Sequence, residues 1–306
     1  MYRILIWGHG LYYNQYINAI KYQEFMGNIK VVGVTGRERI YTCLDGYPFI
    51  PVSDLAPEHI DYIVIASEEY YVAIRETAIE LGFQNEHIIK GKVFCLPLFQ
   101  FDKYIDLLHS KVSIIANNCW GGTAYHALGL QFLSPFINMF EYDEDYLRLL
   151  KNLDSYLELK PEFVRNGYNP ILERDYPICK LDDIELHFNH YINMEEVEKK
   201  WYERLTRLNW DNLFVMMATQ DPKSLEIFDR LPYKKKICFV PSESSLRSAF
   251  YLQTAACQDM KNVPFWEVVN KTASGYFHDY DLIELLSTGT INHNRYYINE
   301  RNEGDV

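Results

Sequence analysis

The residues best suited to chemistry lie in one stretch, Asn117-Asn118-Cys119-Trp120-Gly121-Gly122-Thr123, where an apolar run at 112–116 turns into a helix. A turn of this kind presents N–H groups and the positive end of a helix dipole, which together favour an anion. Gly121 and Gly122 let the backbone approach a phosphate, Asn117 and Asn118 offer amide donors, and Trp120 offers a ring that could stack on a base or sugar. The other reading is an ordinary glycine turn over a buried Trp. Two later side chains also follow predicted strands. His190 comes just after IELHF at 184–188, where it could act as an acid, a base or a sugar contact, or serve as a structural histidine. Asp221 comes after LFVMMATQ and before Pro222, where it could act as a base toward an acceptor hydroxyl or simply cap a helix. Cys119 and His126 have the residue types of a nucleophile and base, but seven residues of separation and no orienting third group argue against thiolate catalysis.

These residues need elements to hold them. Residues 2–7 form a short apolar strand ending in Gly8-His9-Gly10, followed by Tyr13, Ile17 and Ile20 at helical spacing and a second strand at 29–34. DYIVIA at 61–66 reads as a buried parallel strand, residues 68–81 as a helix, and Gly82 as its stop. Residues 1–100 are therefore predicted to form a small Rossmann-like domain. Gly8 and Gly10 are candidate nucleotide contacts, but the third glycine position holds Tyr13, and Thr35-Gly36-Arg37 stands where a ribose-binding acid belongs. NAD is not expected, and the identity of any cofactor is left open.

Residues 101–306 alternate again, which predicts a larger three-layer α/β/α domain with a mostly parallel sheet. Strands are expected at 112–116, 135–140, 184–188, 213–217 and 236–240. Helices are expected from Gly122, at 143–157, from Met194, at 222–231, near 245–258 and at 279–288. The segment at 93–111 reads as a connector packed against both halves, and NRYYINERNEGDV at the end as a surface segment.

Composition sets the class of partner. The chain has 306 residues, 48% of them hydrophobic, enough for two cores. With 42 acidic against 30 basic residues the net charge is −12, which gives no footprint for nucleic acid. No apolar run approaches the roughly 18 residues that cross a bilayer, and the start MYRILIWGHG lacks the form of a signal peptide, so a cytoplasmic location is expected. Six cysteines without a C-x-x-C pair imply neither a zinc knuckle nor a disulfide framework, and no metal ligands are assigned.

Residues 112–240, in the run VSIIANNCWGGTAYHALGLQFLSPFINMFEYDEDYLRLL, in IELHFNHYINMEEVEKKWYERLTRLNWDNLFV and in Asp221, resemble a bacterial family assigned to exopolysaccharide or lipopolysaccharide biosynthesis and built around a domain of unknown function. The first hundred residues, with DGYPFIPVSDL and DYIVIASEEYYVAI, resemble the small Rossmann-like domains attached to nucleotide-sugar enzymes and sugar acyltransferases. The resemblance implies a nucleotide sugar or phosphorylated sugar as ligand and transfer of a glycosyl or related group. The alternative is a non-catalytic nucleotide- or nucleotide-sugar-binding module in polysaccharide assembly. Asp143-Glu144-Asp145 also has the D-x-D form of a glycosyltransferase metal motif, but Asp143 as helix cap with two acids in the first turn is the preferred reading.

Overall fold

A computed structural model of the chain describes residues 1–37, 42–256, 260, 262–274 and 279–291. The expected segments at 257–258 and 294–306 lie outside the described residues. The chain separates into two compact units, Met1–His109 with Ala127–Gly129, and Ser110–His126 with Leu130 onward. Each contains a parallel sheet flanked by helices, so the fold class is α/β. No helix among the described residues is long and apolar enough to cross a membrane.

The first unit is built on β1 (Tyr2–Trp7), α1 (Leu11–Phe25), β2 (Ile29–Thr35), a short hairpin of β3 (Cys43–Leu44) and β4 (Tyr47–Pro48), β5 (Tyr62–Ile65), α2 (Tyr71–Glu80), β6 (Ile88–Lys90) and α3 (Phe101–Ser110). Its sheet order is β2-β1-β5-β6, all parallel. The chain therefore reverses direction across the sheet at β1, which opens a crevice beyond the carboxyl ends of β1 and β5. Leu5, Ile63 and Ile65 are buried against Ala78, Phe83 and Ile88, so strands with no exposed face read as continuous apolar runs. The segment expected to be a connector contains α3, whose Phe101, Tyr104, Ile105 and Leu107 are buried.

The second unit begins with β7 (Ser113–Ala116) and α4 (Trp120–Leu128), followed by α5 (Asp143–Lys151) and α6 (Leu153–Leu157). An antiparallel meander, β8 (Glu162–Asn169), β9 (Arg174–Leu181) and β10 (Ile184–His187), leads into α7 (Met194–Leu205). Then come β11 (Leu213–Ala218), α8 (Pro222–Asp229), β12 (Lys235–Val240), β13 (Ala249–Tyr251), α9 (Phe265–Ala273) and α10 (Leu282–Thr288). The parallel sheet runs β13-β12-β11-β7 without a reversal. A single core, from Ile115, Tyr146 and Leu186 to Trp201, Val215 and Phe228, ties the parallel sheet to the meander.

Four expectations are corrected here. Residues 135–140 do not form a strand: Pro135 lacks an N–H, Asn138 adopts φ +60°, and only Phe140 pairs, as an isolated bridge with His187. The IELHF strand joins the antiparallel meander rather than the parallel sheet. The helix expected at 143–157 breaks at Asn152, whose φ of −141° is not helical. Near 245–258 the described chain holds β13 and a 3-10 turn, Gln253–Ala256, instead of a helix.

The capping signal at Asn193 holds, whereas Asp143 lies inside its helix and does not cap it. Asn193 starts α7 by accepting from Glu196 N–H at 2.9 Å, while Glu196 Oε2 accepts from Ile192 N–H at 2.8 Å. Asn193→Ala is expected to cost about 1 kcal/mol in a denaturant melt. An unchanged midpoint would show that tertiary packing alone fixes this helix start.

Candidate functional site

In the first unit, a cavity of about 900 Å³ occupies the crevice at the reversal point. That volume lies within the range of small-molecule sites. On one side it is lined by Gly8, His9, Gly10 and Leu11, on the other by Ala66, Ser67, Ala73 and Ile74, and Arg37 stands beyond the end of β2. Gly8 has φ +116°, and a Cβ there would sit 2.8 Å from the carbonyl oxygen of Ala66, so this crossing of β1 and β5 requires glycine. Around Gly10 nothing lies within 4 Å of an added Cβ. Gly10 is the N-cap of α1, where no side chain caps the helix and no acid occupies the first turn. The first N–H groups of this 15-residue helix therefore face the cavity without a built-in anion.

The departures from the dinucleotide pattern have physical counterparts. Tyr13 is buried, and its hydroxyl donates to Asp45 Oδ2 at 2.9 Å, so the bulky residue is absorbed by the β3–β4 hairpin. Thr35 ends β2 with its carbonyl accepting from Gly8 N–H at 2.9 Å and supplies no carboxylate to a ribose diol.

In the second unit, the turn after β7 takes the second of its two readings, a glycine turn over a buried Trp. Asn117 clamps β7 to the end of β11: its Nδ2 donates to the Ala218 carbonyl at 3.1 Å and its Oδ1 accepts from Ala218 N–H at 3.0 Å. Asn118 Oδ1 accepts from Trp120 N–H at 2.9 Å and opens α4. Trp120 is fully buried, stacked 5.9 Å from Phe214, with its indole N–H donated to Tyr280 at 2.8 Å. Its ring has no face for a ligand, so the stacking expectation is corrected. Gly121 and Gly122 serve close packing: a Cβ on Gly121 would lie 3.1 Å from Ile114, and one on Gly122 would lie 2.7 Å from Asn138 Oδ1. Gly122→Val is accordingly expected to cost about 1–3 kcal/mol of stability through overpacking. A melt identical to wild type would contradict this.

Asp221 is the N-cap of α8, accepting from Ser224 N–H at 2.9 Å and Ser224 Oγ at 2.8 Å. The backbone N–H of Ser224 first, then its hydroxyl, hold the Asp221 carboxyl below its ordinary pKa, which makes it a poor base. Asp143 lies inside α5, whose N-cap is Tyr142, and accepts a hydrogen bond from the Thr219 hydroxyl. Asp145 accepts from Glu185 N–H at 3.2 Å, so the two ends of the D-x-D motif serve different partners. His190 is exposed, and partial desolvation followed by the Arg174 guanidinium lowers its pKa. Its carbonyl accepts from Arg174 Nη2 at 2.9 Å. Among the described residues no interaction joins His190 to Asp221. The turn nevertheless meets both neighbourhoods, through Asn117 on Ala218 and through Cys119 against Asn189.

Glu141 is the residue the sequence reading passes over. Its backbone N–H donates to the Asn117 carbonyl at 3.2 Å, while its side chain is 3% exposed and neither carboxyl oxygen has a hydrogen-bond partner. Burial, with Asp145 adding a like charge, raises its pKa well above the ordinary value. Cys119 beside it is pushed up to about 11, mainly by burial, so at neutral pH it is a thiol rather than a nucleophilic thiolate. One signal was available: Glu141 directly follows the apolar stretch ending at Phe140, a position where a carboxylate is costly.

Comparison with known proteins places both units. Residues 1–89 match the family described as C2185-like, N-terminal. A protein of Haemophilus influenzae described as an uncharacterized protein is 34% identical over 185 residues, spanning 59% of this chain and 86% of that relative. Residues 90–287 match the domain of unknown function DUF1919, and the chain belongs to that family.

Proposed function

We propose that the chain handles a nucleotide-activated or phosphorylated sugar in surface-polysaccharide assembly, with the nucleotide held in the cavity of the first unit. The observation that carries this reading is the cavity of about 900 Å³ at the reversal point of the sheet, next to the uncapped start of α1. The pyrophosphate would meet the N–H groups at Gly10 to Tyr12, and the base would occupy the slot between Val52, Ala73, Ile74 and Thr77. The reaction in this reading is transfer of a glycosyl or related group. The rival reading, a binding module without turnover, shares the same cavity.

Titration calorimetry with nucleotides, nucleotide sugars and NAD tests the first step. A nucleotide or nucleotide sugar is expected to bind, NAD is not, and Gly10→Val is expected to weaken binding at least tenfold because its side chain stands in the open cavity mouth. Gly8→Val is a poor substitute, since the clash with Ala66 would disturb the strands themselves. Binding of NAD in preference to nucleotide sugars would overturn the reading. Release of free nucleotide from a bound nucleotide sugar separates a transferase from a module.

A further inference from the structure

Among the described residues, nine buried polar side-chain atoms lack a hydrogen-bond partner, and five of them belong to Glu141, Arg174, His187 and Asn189. Buried polar groups are rarely left unpaired, so several at one place mark something the fold is built to receive. They divide by chemistry: Asn189 Oδ1 is an acceptor, Arg174 Nε is a donor, the Glu141 carboxyl accepts and when protonated also donates, and the role of His187 Nε2 depends on its tautomer.

Arg204 extends the donor side. It is 6% exposed, its side chain donates from Nη1 to the Tyr191 hydroxyl at 2.6 Å, and no carboxylate among the described residues forms an ion pair with it. Its guanidinium lies 5.2 Å from the Phe132 ring, and Lys200 Nζ lies 5.4 Å from the Tyr191 ring. A buried guanidinium with no carboxylate counter-charge is uncommon, because desolvating the charge is costly. Arg174 bonds the His190 carbonyl, while Arg204 and Lys200 meet Tyr191, and Glu196 pairs with Lys200. In a chain of net charge −12 this is a local cationic site.

The two sides are linked by the backbone: Glu141 follows Phe140, which bridges His187, and Asn189, His190 and Tyr191 follow that bridge. We propose that the second unit binds a small sugar-sized oxyanion, phosphate or carboxylate, with its charged group on Arg204 and Arg174 and a hydroxyl donated to Glu141 or Asn189. This site is separate from the nucleotide cavity and supplies what a group-transfer reading lacks, a place for a second, acidic substrate. It rests on that reading only for its biological sense, since its binding is measured independently.

The test is thermal denaturation with inorganic phosphate, glucose 1-phosphate and glucuronate. At saturation, glucose 1-phosphate or glucuronate is expected to raise Tm by about 5–10 °C. Which of the two does so assigns the oxyanion, and inorganic phosphate is expected to give a smaller shift. Arg204→Met, a hydrophobic replacement that can fold as well as the buried charge, is expected to abolish the shift. Arg204→Lys, which retains charge without the planar fork, is expected to weaken binding about tenfold, and serves should the methionine variant fail to fold. Glu141→Gln is expected to weaken the sugar ligand and leave inorganic phosphate unaffected. Repeating the measurement on Gly10→Val, with the first cavity blocked, assigns a surviving shift to the second unit whatever the nucleotide does. No shift with any oxyanion, or the same shift in the Arg204 variants, would overturn the proposal.

Discussion

Replacing Trp120 by alanine is expected to lower the stability of the protein by about 3–5 kcal/mol, as for other fully buried aromatic truncations. Three losses add together. The indole leaves a large void between Phe214 and Phe239, its ring contacts at 5.9 and 5.8 Å disappear, and the Tyr280 hydroxyl loses the indole donor. Tyr280 is itself buried, stacked on Phe239 at 5.3 Å and bonded to Thr272, so the damage passes into the α9–α10 region. Trp120→Phe, which keeps a ring but no N–H, should lose less. Denaturant unfolding at constant m-value reads the difference. The same variant separates a core residue from a ligand platform. A Trp120→Ala protein of native stability that no longer bound a phosphorylated ligand would restore the stacking role that burial argues against.

Trp120 also shows what the sequence could and could not reveal. Strands β1, β5, β7 and β11 were legible because parallel strands covered on both faces leave unbroken apolar runs. The caps at Asn193 and Asp221 were legible because capping is local. Strand β8 was not, since six of its eight residues are exposed and it offers no apolar periodicity to read. The glycine turn was ambiguous by its nature. Glycine spacing is the same whether a phosphate or a neighbouring backbone must come close, and here Ile114 and Asn138 do. The second-unit site is assembled from Asn117, Glu141, Arg174, Asn189 and Arg204, and no local pattern spans such separations. His190 does follow a strand, but that strand belongs to an antiparallel meander, placed by its bridge to Phe140, and not to the parallel sheet.

Glu141→Gln is expected to raise stability at neutral pH, because an amide carries no proton that the fold must retain against release in the unfolded chain. The sign follows from linkage. Burial holds the folded-state pKa of Glu141 above its unfolded value, so the folded protein retains a proton that the unfolded chain releases. Below the unfolded carboxylate range both states are protonated, and the native side chain carries no penalty from ionisation. As pH rises through that range toward the folded pKa, the unfolded state is favoured progressively, and wild-type stability falls relative to the glutamine variant. The gain from Glu141→Gln should therefore be smallest in acid and grow toward neutrality, read as the difference between two pH-dependent unfolding series. Asp145 adds like charge to the same carboxyl, so Asp145→Asn should flatten part of the slope while leaving Glu141 in place. A gain independent of pH would mean that Glu141 ionises normally in the fold. A loss in place of a gain would mean that the carboxyl has a partner the glutamine cannot replace. Retaining such a residue against Asn117, just past β7, is costly for a fold alone. A ligand hydroxyl that donates to the carboxyl would offset the cost, and the pH slope should then shrink when the acidic sugar is bound.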